Sequence, residues 1–323
     1  MAKQDANCCT PFKTTCGGQA LLEGIMMQGP GKRAIVVRKP DGELDVTEEE
    51  VKPRTGLAKL PFIRGMFVFC GSMVHGMRAL MHSAEVSDDA SMEEEELTGI
   101  DKWISDHFEQ DKAMSIIITI AAVIGIAFSV GLFILLPTAL TGLVGLVWKT
   151  MPLWARSVLE GVLKVVIFMA YLYLCSKMKE IHRVFEYHGA EHKTIYCYEN
   201  GLELTVENVR RQPRHHPRCG TSFLFVVIAV SIFLSIVIFT PLEIENTFLR
   251  MALHLLMLPV IVGVTYEFNR YVGGHDGPVS RALRFPGMWM QNFTTFEPDD
   301  SMIEVGIEAL KRVLPEEQGA DRW

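Results

Sequence analysis

Residues 113–136 run for 24 positions without a charged side chain. A stretch of that length crosses the hydrocarbon of a bilayer as a helix with some tilt, and lipid admits little except helices and closed barrels. Three more apolar stretches follow, at 157–175, 221–240 and 248–266. Together they predict a mainly α membrane protein with about four transmembrane helices. A small N-terminal cytoplasmic β-containing region and cytoplasmic helices complete the expectation. Between the first two spans, residues 137–152 are apolar and glycine-interrupted, bounded by Pro137 and Pro152, which predicts an interfacial hairpin. Hydrophobic residues make up 49% of the 323, and their clustering rather than their number is what argues for membrane.

Lysine and arginine set the orientation. The loop between the second and third spans carries Lys177, Lys179, Arg183, Lys193, Arg210, Arg211, Arg214 and Arg218, whereas the next loop carries only Glu243 and Glu245. Basic loops stay inside, so residues 177–220 and both termini are expected in the cytoplasm. The seven cysteines show no paired framework and no secretory signal precedes them, which suits reduced thiols.

The chain then divides in order. Residues 1–16 read as a flexible N-terminus. Residues 17–55 read as a cytoplasmic β-meander, because Ala34–Arg38 and Leu44–Val46 flank the turn signal Pro40-Asp41-Gly42. Residues 56–84 are apolar but carry Arg64, His75 and Arg78, predicting an amphipathic helix on the membrane or under the meander. Residues 85–112 form an acidic linker and short helix, 113–176 the first two spans, 177–220 a His/Cys-containing loop, 221–266 spans three and four, and 267–323 a cytoplasmic C-terminal region. Within that last region, 286–293 reads as interfacial and 301–314 as an amphipathic helix capped by Asp300 or Ser301. Two i,i+4 pairs, Glu160 with Lys164 and Arg250 with His254, sit inside apolar stretches. They predict either a polar vestibule or an ion pair that fixes packing.

The chemistry concentrates between Glu186 and Phe223. Residues 178–199 contain no proline and are expected to continue the second span as helix, which puts His188 and His192 on one face. His188-Gly189-Ala190-Glu191-His192 matches H-x-x-E-H, the inverzincin form of the zinc-hydrolase helix, in which two imidazoles hold metal and the glutamate handles a proton. The same spacing also suits an ordinary surface helix. His215-His216-Pro217-Arg218-Cys219 adds imidazole and thiolate donors, so His188, His192, His216 and Cys219 are candidate ligands for zinc or another divalent metal. Four protein ligands would mean a structural ion, whereas catalysis needs an open position, with Glu191 as the catalytic carboxylate. Inverzincins take a third ligand, a glutamate, from a downstream helix. Glu267 is therefore a further candidate ligand or base, or else an interfacial carboxylate paired with Arg270.

Several strings occur together in order over residues 17–315. They are Gly17-Gly18-Gln19-Ala20 with Glu23-Gly24 and Met26-Met27, Tyr187 to Lys193, Arg218-Cys219-Gly220-Thr221-Ser222-Phe223, and Thr294-Thr295 with Glu297-Pro298-Asp299. In these the chain resembles the YqhQ-like family of bacterial multi-pass membrane proteins, labelled predicted metal-dependent enzymes. The resemblance implies a bacterial plasma membrane protein with a metal, and supplies no substrate. Two functions remain open. One is a membrane-embedded metal-dependent enzyme, a hydrolase at the cytoplasmic face. The other is a non-enzymatic assembly factor associated with ribosome or translocon, its basic loop meeting anionic lipid, ribosomal RNA or membrane proteins around a structural metal.

Overall fold

A computed structural model describes residues 12–52, 55–87, 120–121, 123–275, 277–317 and 319–322. The expected acidic linker lies almost wholly outside the described residues, as do residues 1–11 of the expected flexible N-terminus and 113–119 of the first expected span. The chain forms two compact units: Met1–Ala90, Leu172–Val227 and Val262–Trp323 make the first, and Ser91–Tyr171 with Ile228–Ile261 the second.

The first unit is built on an antiparallel meander of β1 (Gly17–Leu21), β2 (Gly24–Gln28), β3 (Lys32–Arg38) and β4 (Leu44–Glu50), paired in sequence order. Register follows the turns: Ala20 faces Ile25, Met26 faces Ile35, and Val36 faces Val46. Gly42 takes φ 89° in the β3–β4 turn, where a side chain would be strained. Alternate residues point to opposite faces, and here both faces are covered. Ile25, Met27, Ala34 and Val36 pack with Tyr187, Ala190 and Ile195 and with Met302, Val305 and Leu310. Leu21, Met26, Ile35 and Val37 pack with Ala79. Two-sided burial explains the unbroken apolar run Ala34–Val37, and each fully buried aliphatic side chain contributes about 1.5–3 kcal/mol.

Ala79 belongs to α1 (Ile63–Ser87), which covers that second face and leaves Phe67, Phe69, Met73, Val74 and Met77 exposed. The first face is covered by α4 (Lys179–Glu199) and α9 (Asp300–Val313). Helix α4 does not continue the second span. The chain leaves helix at Met178, whose ψ is 131°, and Ser176 Oγ donates to the Tyr173 carbonyl just before the break. Helix α9 starts one residue earlier than expected because Asp299 is its cap, accepting from Met302 N at 3.0 Å. A short α5 (Val206–Arg210) is capped by Thr205. The expected interfacial segment at 286–293 lies within α8 (Pro278–Thr294). Residues 12–16 are tied down rather than loose. Thr14 N donates to Glu199 Oε1 at 2.8 Å, and Thr14 Oγ1 to Asp321 Oδ2 at 2.5 Å.

Among the described residues, three helices are long and apolar enough to cross a membrane: α2 (Val123–Val147), α3 (Leu153–Cys175) and α7 (Thr247–Gly274). Helix α6 (Gly220–Phe239), at the position of the third expected span, is a further apolar helix of 20 residues. The expected hairpin after Pro137 is also replaced by helix, which runs to Val147. Proline cannot donate to the residue four back. A π-helical turn at Gly131–Leu135 comes immediately before it and absorbs the interruption.

The second unit buries a charged cluster around Glu160. Its Oε1 accepts from Thr138 Oγ1 at 2.7 Å and lies 3.0 Å from Lys164 Nζ and 2.5 Å from His254 Nε2. Its Oε2 lies 3.2 Å from Arg250, which also donates to Ser157 Oγ and stacks over Phe239. Arg250 is fully buried. One carboxylate thus serves both i,i+4 pairs, and the cluster is an interhelical knot. Glu160→Gln would leave two buried cations without their counter-charge, a change that typically costs about 3–5 kcal/mol. The expected result is a clear drop in the thermal unfolding midpoint of detergent-solubilised protein. An unchanged midpoint would show that the knot does not hold these helices.

Candidate metal centre

Helix α4 presents His188 and His192 one turn apart, with ring centroids 4.3 Å from each other. Cys219 arrives from the proline-stiffened strap that precedes α6. One donor atom from each of His188, His192 and Cys219 lies within 4.8 Å of the others. His188 Nε2 is 3.1 Å from Cys219 Sγ.

Both imidazoles are oriented from behind. His188 Nδ1 donates to the Thr294 carbonyl at 2.7 Å, and His192 Nδ1 to the Arg214 carbonyl at 2.6 Å. With the proton on Nδ1, each Nε2 carries a lone pair, the usual arrangement for a ligating histidine. His192 Nε2 is buried and has no hydrogen-bond partner. Burial pushes the His192 imidazole down to about 4. Burial would raise the Cys219 thiol, but His192 and the hydrogen bonds with Thr221 bring it below its ordinary range. Two imidazole nitrogens and a thiol sulfur are a donor set that fits zinc.

Glu191 is buried beside them. Its Oε1 accepts from Gly18 N at 3.0 Å, while Oε2 has no partner. Burial pushes its carboxyl up to about 7, against the opposing pull of His188 and the Gly18 N–H. Gly18 is the second residue of β1, where an added Cβ would sit 3.0 Å from the Glu191 carboxyl carbon and 2.7 Å from the Met26 carbonyl. Gly189 is as constrained. A Cβ there would lie 2.0 Å from the Phe296 carbonyl, whose own N–H donates to Phe185 O.

Two sequence candidates stand apart from this trio. His216 uses both ring nitrogens elsewhere: Nε2 faces Glu199 Oε2 at 3.4 Å and Nδ1 accepts from Arg218 N at 3.4 Å. Its ring centroid is 5.6 Å from that of His192. Glu199 also pairs with Arg218 and accepts from Thr14 N. Glu267 is held by a two-pronged ion pair with Arg64 and by Phe62 N, so Arg64 rather than Arg270 is its partner. Sequence reasoning did not find the Thr294 and Arg214 carbonyls or the Gly18 N–H as orienting groups. Backbone groups leave no mark in residue type. The only signal was that 294–299 and 17–20 belong to the strings on which the resemblance rests.

Purified protein is expected to carry about one zinc or similar ion per chain, as His/Cys sites do. His188→Ala and His192→Ala should each remove most of it by elemental analysis. Full metal in both variants would refute the assignment.

Comparison with known proteins places the chain. Residues 60–316 match the family model described as "Protein of unknown function (DUF1385)". The chain is 33% identical over 313 residues to "Uncharacterized protein YqhQ" of Bacillus subtilis (strain 168), covering 92% of each. No solved structure matches it. The breadth of both matches means that this chain belongs to the DUF1385 family; the residues matched by the family model include His188, His192 and Cys219.

Proposed function

We propose that the protein is a membrane-embedded, metal-dependent hydrolase whose centre works at the cytoplasmic face of a bacterial plasma membrane. The observation that carries this reading is the three-donor set. His188, His192 and Cys219 converge while His216, the fourth candidate, is engaged by Glu199. Three protein ligands leave a coordination position open, as catalytic zinc sites do. When bound, zinc would supply a Lewis acid and a water of lowered pKa. The remaining work falls to the chain. The Thr294 and Arg214 carbonyls hold the two imidazoles as Nδ1–H tautomers. Gly18 N–H fixes Glu191 Oε1 and leaves Oε2 as the acceptor for a proton. A carboxyl brought near 7 is suited to taking a proton and returning it.

The alternative, an assembly factor stapled by a structural ion, relied on a basic loop. Much of that charge is neutralised internally. Arg183 pairs with Glu23, Lys193 with Glu297, Arg210 with Asp300 and Arg211 with Glu207. This leaves less charge for RNA and favours the enzyme reading.

Glu191→Gln separates the two. It removes the proton acceptor but none of the three donors, so metal content and folding should survive while a deletion strain is no longer complemented. Full complementation by this variant, beside failure of His192→Ala, would mean a structural ion.

The orientation is testable independently. Engineered cysteines at Asn200 and Lys311 should gain labelling, above that of the parent chain, only from the cytoplasmic side, and one at Leu242 only from outside. The eight basic residues on one loop against none on the next generate that expectation. Labelling of position 200 from outside would reverse the topology.

A further inference from the structure

The first unit has an open cavity of about 1430 Å³ with Cys219 in its wall. It exceeds the ~300–1,000 Å³ usual for compact small molecules. Six basic residues line it, namely Lys52, Lys59, Arg64, Arg218, Arg270 and Arg284, and none of the lining residues is acidic. Two of those cations already have carboxylates, Arg64 in Glu267 and Arg218 in Glu199. Lys52, Lys59 and Arg270 are exposed and form no ion pair among the described residues.

Much of the rest of the wall is apolar. Phe69, Met73 and Met77 of α1 line it together with Phe223 of α6, and the Phe69 and Phe223 rings stack at 6.1 Å. Asn269 also lines it, and its buried Nδ2 has no acceptor. Gly220 and Thr221, in the first turn of α6, add the positive end of a helix dipole.

A wall that carries both cations and aromatic and thioether side chains is complementary to an amphiphile with an anionic head. An inorganic anion would not use the apolar part, and a neutral lipid would not use the cations. The volume admits a chain-bearing molecule. We infer that this cavity binds a lipid whose phosphate-containing head carries net negative charge, its headgroup among Lys52, Lys59 and Arg270 and its acyl portion along α1 and Phe223. On the hydrolase reading, that lipid is the substrate class of the centre, since Cys219 belongs to both. Binding itself does not depend on that reading.

The test is calorimetric binding of short-chain phosphatidylglycerol to full-length protein in non-ionic detergent. Short-chain phosphatidylcholine and inorganic phosphate are run in parallel. Phosphatidylglycerol should bind measurably, and the other two at least about tenfold more weakly, phosphatidylcholine for want of net headgroup charge and inorganic phosphate for want of an apolar part. Lys59→Glu/Arg270→Glu should weaken phosphatidylglycerol by a similar factor, and Ser72→Trp, which fills the cavity from α1, should abolish binding. Lys52→Ala/Lys59→Ala, at two exposed positions, is a milder variant that keeps the fold and should also weaken it. Equal affinity for phosphatidylcholine, phosphate binding as tightly as the lipid, or unchanged affinity in these variants would each overturn the inference. His188→Ala keeps the two proposals apart. Lipid affinity retained there supports the cavity whatever becomes of the enzyme reading. Lipid affinity lost there, with the unfolding midpoint unchanged, would mean that the centre and not the cavity binds it.

Discussion

The close approach of the Phe296 carbonyl to Gly189 governs the geometry of the candidate centre. No side chain larger than hydrogen fits, because the obstructing atom is backbone and cannot rotate away. That contact lets the 294–298 segment lie against α4, reinforced by Phe296 N donating to Phe185 O. Only then does the Thr294 carbonyl reach His188 Nδ1. The glycine inside H-G-A-E-H is therefore there for packing, and packing in turn sets the tautomer of a histidine. Gly18 plays the matching part on the other side, where its own N–H meets the buried Glu191 carboxylate.

Much of the architecture was legible because period and turn chemistry are local. Pro40-Asp41-Gly42 between two β-rich runs announced the meander, and the structure has a hairpin there, with β2 and β1 added in order. The apolar helices were legible as such, but their bounds were not. A π turn carried α2 through Pro137 where sequence rules place a stop. The break at Met178 had no proline or glycine to mark it. Within the centre, the i,i+4 histidines followed directly from helix geometry. Which of His215, His216 and Cys219 joins them did not, because the strap is irregular and its path is decided by long-range contacts. Gln291 illustrates this: it brackets His216, accepting from its N–H and donating to its carbonyl at 2.8 Å each.

Glu160 and Glu191 show two ways a buried carboxylate is tolerated. Glu160 is surrounded by Lys164, Arg250, His254 and Thr138, so its charge is spent on cohesion. Glu191 has one backbone N–H and an unpartnered oxygen. An unsatisfied buried carboxylate oxygen costs free energy. A site that keeps one is better explained by use than by stability.

The withholding of His216 extends the same reasoning. The strap carries donors enough to close a four-ligand site, which would be the more stable outcome for a structural ion. Instead Glu199, itself fixed by Arg218 and Thr14, draws the His216 ring toward itself. Because Thr14 is in turn held by Asp321, two segments far apart in sequence are tied to the residue that engages His216. A fold that only needed a staple would gain nothing from this arrangement. One that needs an open coordination position next to an unpartnered carboxylate requires it.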